Sequence, residues 1–178
     1  MPGIHEDGSF LDSGHHGLDL GSYDISGKQA RGQPVSVALA GRISSVIYDR
    51  PPYGNMIMVE TPFESIPPAL VTSQSIPKGD SVYTLYAHLQ NPQFFQLEQK
   101  VECGQHLAET GMTGATGGPH LHFETRWGPP NTEFPVMASY GTDIKDEEKK
   151  YYYLWRNSGV YHVFDPMELL SPLDFIAH

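Results

Sequence analysis

The chain has 178 residues, 39% of them hydrophobic and 18% charged, with 18 glycines, 15 prolines and a formal charge of −10. This composition suits one globular domain with a proper core, made of short strands and turns rather than helices. The charge argues against nucleic acid and anionic membrane surfaces as partners, and the single cysteine, Cys103, excludes an internal disulfide and a multi-cysteine metal site.

From Met1 onward there is no charged start followed by an apolar run, so no signal peptide is read. No stretch approaches the ~18 apolar residues that would cross a bilayer. Val35–Ala38, Ile43–Tyr48, Met56–Glu60 and Ser81–Ala87 are rich in β-branched and aromatic side chains and separated by Gly and Pro, which predicts short strands. Residues 61–80, with Pro62, Pro67, Pro68, Pro77 and Gly79, read as a long proline-rich loop between two paired strands. Residues 90–98 have room for one helical turn. Cys103 is expected as a small buried side chain on a strand. Within residues 128–162, Thr142-Asp143 predicts the cap of a helix over Ile144–Arg156. Its apolar side carries Ile144, Tyr151, Leu154 and Trp155, and Lys149-Lys150 face solvent. There is no internal repeat and no low-complexity tract.

Three histidine clusters punctuate this pattern: His15-His16-Gly17-Leu18-Asp19, Tyr86-Ala87-His88-Leu89 and Pro119-His120-Leu121-His122-Phe123-Glu124. On an extended strand His120 and His122 project from the same face. One can then reach a metal ion while its neighbour stands beside the metal-bound water. His15 and Asp19, four residues apart, can both reach one ion from a loop or strand end. A His–Asp–His set suits zinc with an open fourth position. The remaining histidines, His88 among them, are then available for proton transfer and for stabilising negative charge. Alternating histidines on a strand are also simply a polar outer face in many proteins.

The order of these segments resembles the lysostaphin/LytM-type zinc endopeptidases, which cleave peptide bonds in bacterial peptidoglycan. Gly32-Gln33-Pro34-Val35 and Ala38 to Ile43 look like the strand after the first ligand loop, and Tyr53 to Val59 look like the next strand. Tyr86-Ala87-His88-Leu89 matches the family's Tyr-x-His-Leu. Val101 to Gln105, then Gly111-Met112-Thr113-Gly114 through Glu124, match its most recognisable segment, and Phe164-Asp165-Pro166-Met167 resembles its closing Asp-Pro. The likeness runs through residues 15–127 in order, with the closing strand later.

The resemblance implies a mostly β fold with an antiparallel β-sheet core of the LytM/lysostaphin, duplicated-hybrid-motif kind, plus a loop and helix insertion near the C-terminus. It implies one domain over residues 1–178 with inserts at 61–80 and 128–162. It assigns His15, Asp19 and His122 as ligands of one zinc ion, with His16 an exposed neighbour, and His88 and His120 as catalytic residues. His5, His106, His162 and His178 match nothing and are expected on the surface. Zinc so held would bring a bound water toward a pKa of ~7 for attack on a peptide carbonyl. His120 would carry the water's proton to the leaving amine, and His88 would hydrogen-bond the oxyanion or share the base role. Glu124 lies two residues along the same strand face, where it could orient a ligand imidazole or merely be solvated, and it is not counted in the site.

A His-Glu-x-x-His helix is absent, which excludes that class of zinc protease. The alternatives are a non-catalytic LytM-like module that binds or activates another cell-wall hydrolase, and a zinc-stabilised structural domain. The first would have lost ligands, and this chain has lost none; the second needs no open site. The expected partner is a peptidoglycan peptide; without a signal peptide the chain is either a domain cut from a longer exported protein or cytoplasmic, and the resemblance favours export, to the cell envelope or the outside of the cell. Both inserts are expected beside or over the groove, narrowing it.

Overall fold

The computed structural model describes Gly3–Ile4, Phe10–Leu11, Gly14–Ser139 and Asp143–Leu169. Its strands in chain order are β1 (Gly3–Ile4), β2 (Phe10–Leu11), β3 (Leu18–Leu20), β4 (Pro34–Ser36), β5 (Gly41–Arg50), β6 (Gly54–Thr61), β7 (Ser81–Ala87), β8 (Leu89–Gln90), β9 (Lys100–Val101), β10 (His106–Thr110), β11 (Leu121–Gly128) and β12 (His162–Val163). Two helices, α1 (Pro68–Gln74) and α2 (Asp146–Arg156), and 3₁₀ turns at Phe63–Ser65 and Pro166–Leu169 complete the described elements. The fold is mostly β, built from antiparallel sheets.

The main sheet runs β12-β11-β7-β6-β5-β9, and β3 lies against the first half of β11 while β12 lies against its second half. A smaller sheet runs β4-β10-β8. Strand β7 is buried at every position, and alternation explains how a strand with no polar face stays paired. Ile57, Val59, Tyr86 and Phe123 point to one side, into a core shared with Val35, Leu89 and Leu107 around the small sheet. Met56, Met58, Tyr83 and Leu85 point to the other side and meet Phe134, Met137, Tyr152, Trp155 and Tyr161. Burying each large apolar side chain contributes about 1.5–3 kcal/mol. The insert after β11 is therefore half of the second core.

The inserts part company here. Residues 61–80 are more ordered than a proline-rich loop: a 3₁₀ turn, then α1 with Pro68 at its first turn and a left-handed Ser75 at its end. They form a third core of Ile66, Leu70 and Ile76 with Val82 and Phe164. This core caps the Thr61/Ser81 end of the β6–β7 pair, and the seven residues of β7 place it about 20 Å from Ala87. The expectation that 61–80 walls the groove is corrected: the chain closes one end of the hairpin and the histidines stand at the other.

Helix α2 begins at Asp146, later than expected, and Thr142 lies outside the described residues. Its start is fixed by Glu148, which accepts the Lys145 N–H at 2.9 Å and pairs bidentately with Arg50 at 2.7 and 2.8 Å. Three acidic residues in its first turn suit the positive end of the helix dipole. Residues 90–98 hold only a turn near Leu97, not a helical turn, and Cys103 is exposed in a turn rather than buried on a strand.

Candidate active site

The site is assembled where β3, β7 and β11 meet the loops after them. Asp19 on β3 is the register partner of His122 on β11, and His122 is in turn the partner of Ala87 on β7. Residues directly opposite in an antiparallel pair share a sheet face, so Asp19 and His122 are brought together by backbone pairing alone. The loop before β3 must pass very close to β11 to deliver His15. A Cβ at Gly17 would stand 2.6 Å from the Phe123 carbonyl oxygen and 2.9 Å from the His122 ring, so the glycine inside His-x-Gly-x-Asp is a steric requirement.

Around Asp19 Oδ1 stand His122 Nδ1 at 2.9 Å, His15 Nε2 at 3.0 Å and His120 Nε2 at 3.5 Å. The potential ligand atoms of His15, Asp19 and His122 all lie within 4.8 Å of one another. Tetrahedral zinc with bonds of ~2.0–2.1 Å keeps ligand atoms about 3.3 Å apart, so these side chains need only small shifts to take an ion. Burial would raise the Asp19 carboxyl, but the His122 hydrogen bond and the fields of His120, His122 and His15 hold it below its usual range.

The chemistry of the donors fits a cation too. His122 Nε2–H donates to Glu124 Oε1 at 2.9 Å, which leaves the lone pair of a neutral ring at Nδ1, facing the Asp19 carboxylate. A lone pair against a carboxylate is repulsive unless a proton or a metal ion lies between them. Burial opposes charge on His122, yet Glu124 and Asp19 raise its pKa above the ordinary imidazole value.

His88 stands where the chain leaves the main sheet for the small one, between β7 and β8, with a left-handed backbone (φ 60°). Its Nδ1 pairs with the Thr113 carbonyl at 2.8 Å and its ring centroid lies 4.8 Å from that of His120. Burial, with the fields of His120 and His122, holds its pKa down to about 4. His120 Nδ1 pairs with the Gly118 carbonyl at 2.9 Å. Since a carbonyl only accepts, both rings carry their proton on Nδ1 and offer Nε2 as an acceptor. All five side chains line one cleft of about 310 Å³, together with Tyr53, Tyr152 and Arg156.

Sequence reasoning left out what lies beneath. Glu124 is wholly buried. Its Oε1 also accepts Tyr53 Oη–H at 2.7 Å and Arg156 Nη1–H at 3.0 Å, and its Oε2 accepts Trp155 Nε1–H at 2.8 Å with Arg126 Nη2 at 3.5 Å. Burial would raise its pKa, but His122 and the two guanidiniums hold it far below the usual carboxylate range. Alternation along His122, Glu124 and Arg126 made their common face legible; nothing local placed Trp155 and Arg156 against them. His16 is no exposed neighbour, being half-buried with its Nδ1 2.8 Å from Arg126 Nη2.

Residues 69–134 match the family model Peptidase family M23. That is 66 of the chain's 178 residues, and over them the chain resembles the family. The matched stretch holds His88, His120, His122 and Glu124, while His15, Asp19 and α2 lie outside it. The chain is 29% identical over 99 residues to the cell division protein DipM of Caulobacter vibrioides, covering 56% of this chain and 13% of that protein. It is 46% identical over 48 residues to the DD-carboxypeptidase/endopeptidase Mpg of Neisseria meningitidis serogroup B, covering 27% of this chain and 11% of that one. The matched stretches thus span only a small part of these longer curated relatives. Among solved structures, the catalytic domain of lysostaphin from Staphylococcus simulans aligns over 87% of this chain and 91% of its own, with a TM-score of 0.48 and 19% identity. No helix among the described residues of the chain is long and apolar enough to cross a membrane.

Proposed function

We propose that the chain is a zinc-dependent endopeptidase that hydrolyses peptide bonds of bacterial peptidoglycan, in the cell envelope or outside the cell. The observation that carries this reading is the convergence of His15, Asp19 and His122 on one point with the acceptor nitrogens of His88 and His120 beside it. The match of residues 69–134 to a peptidase family model and the similarity to a protein named as a DD-carboxypeptidase/endopeptidase support the substrate class. We read residues 1–178 as one such domain with inserts at 61–80 and 128–162.

His15, Asp19 and His122 would hold the ion through Nε2, Oδ1 and Nδ1. Zinc there supplies Lewis acidity, which acidifies water and polarises a peptide carbonyl. His120 Nε2 accepts the proton of the attacking water and delivers it to the departing amine nitrogen as the C–N bond breaks. His88, whose burial disfavours its charged form, offers Nε2 to orient that water. The tautomer set by Thr113 thus favours an orienting role for His88 over donation to the oxyanion, between which the sequence left the choice open.

Metal analysis of the purified chain together with mass spectrometry of a panel of cell-wall peptides tests the reading. About one zinc per chain and cleavage of a stem or cross-bridge peptide, abolished by chelation, are expected. Stoichiometric zinc without cleavage of any peptide would instead identify a binding module.

A further inference from the structure

Helix α2 and the zinc ligands meet at Glu124. This buried carboxylate receives four donors, His122 from β11, Tyr53 from the turn before β6, and Trp155 and Arg156 from α2, with the Arg126 guanidinium from β11 paired to it at 3.5 Å. A carboxylate offers about four lone-pair positions, so this one is fully committed and cannot rotate without breaking a bond. The same arginines reach the loop that carries the other histidine ligand. Arg156 Nη2–H donates to the Gly14 carbonyl at 2.6 Å and Arg126 Nη2 reaches His16 Nδ1 at 2.8 Å, the residues on either side of His15.

We propose that α2 belongs to the metal centre: Trp155 and Arg156 are positioning residues that fix the Glu124 carboxylate, so that His122 presents Nδ1 to the ion, and Arg156 ties the His15 loop to the same carboxylate. The inference rests on the zinc reading above. A helix that only packed against the sheet would require no buried carboxylate; Trp155 could then be any large apolar side chain, and its indole N–H would be a burden. Here that N–H is the only donor within 3.0 Å of Oε2 among the described residues. Arg156 borders the cleft, but its side chain is 6% exposed and both its Nη atoms are spent on protein acceptors. That geometry favours holding the site over gripping substrate.

The test uses the full chain and zinc alone, titrated into metal-free protein against a chromophoric chelator, with the ring nitrogens of His122 followed by ¹⁵N NMR. Trp155→Phe keeps the ring and loses the N–H; Arg156→Met loses both donors. Each should weaken zinc binding about 10–100-fold. In the zinc form, the His122 Nε2–H signal should shift and its proton should exchange faster with solvent, since its Glu124 acceptor is no longer held in place. Arg156→Lys should recover part of the affinity, and Tyr53→Phe, which removes a third donor, gives the same readout if either α2 variant does not fold. Leu70→Ala, in the far insert, should lower stability and leave zinc affinity unchanged. Wild-type protein that binds no zinc would sink the functional reading itself. Tight wild-type binding with unchanged affinity and unchanged His122 signals in the variants would overturn only this inference, as would an equal loss in Leu70→Ala.

Discussion

Residues 61–80 and residues 128–162 leave the same end of the sheet, since Ser81 of β7 is the register partner of Gly128 of β11. They end in different places. The first insert folds back on its own exit and fills the corner between Val82 and Phe164. The second is long enough to run along the sheet face and returns, in α2, to Glu124 beneath the candidate ligands. An insert influences a site through the face along which its chain returns; its length and proline content indicate neither direction nor contact.

The largest effects are expected at the ligands, which α2 reaches and the first insert does not. Asp19→Ala or His122→Ala should strip zinc and remove hydrolysis, because two remaining ligands do not hold the ion against water. His120→Ala should keep zinc near full occupancy and cut hydrolysis about 10²–10⁴-fold, as read by metal analysis beside a peptide-cleavage assay. Zinc lost from the His120 variant and retained in the His122 variant would reverse their assignment along β11.

Next comes the far insert. Leu70→Ala empties a buried position and should cost about 2–5 kcal/mol in a denaturant titration. Cleavage preferences among peptides should not move, and deleting most of 61–80 from a chain that still folds should leave them equally unchanged. A shifted preference would place that insert back at the groove.

A smaller effect belongs to the start of α2. The Glu148 pKa is lowered by its Arg50 and Lys145 partners. The folded pKa lies below the unfolded one, so the stabilisation is complete above pH ~4.5 and disappears as pH falls through the folded value. Glu148→Gln should cost about 1 kcal/mol at pH 7 and reduce the pH dependence of stability below pH ~4.5, measured by thermal melts across pH. Equal losses at pH 7 and pH 3 would contradict this. Zinc requires deprotonated imidazole, so bound metal and activity should fall together as pH drops through the imidazole range near ~6.5, and added zinc should move the midpoint lower.

The sequence made the strands legible because alternation and β-branched runs are local: Ser81–Ala87 agrees at both ends, and β5 and β6 merely extend past the predicted bounds. The histidines were legible because each cluster carries its own spacing, and β3–β11 register converts that spacing into contact. Three things were not. The two-sided burial of Met58 and Val59 depends on which segment covers each face. Trp155 reads as an ordinary apolar helix position, and only a partner 31 residues away gives its N–H a task. Cys103 sits in a turn because the chain reverses there before β10, which no property of a lone thiol announces.

His88 also bears on how this protein could be engineered. A left-handed backbone at a residue with a Cβ costs on the order of 1 kcal/mol, and glycine or asparagine relieves it. A library selected only for heat resistance should therefore tolerate Asn at position 88, the relieved strain offsetting part of the lost ring burial and Thr113 bond, while turnover on the proposed reading disappears. On the role proposed for His88, backbone strain and chemistry meet at a single codon.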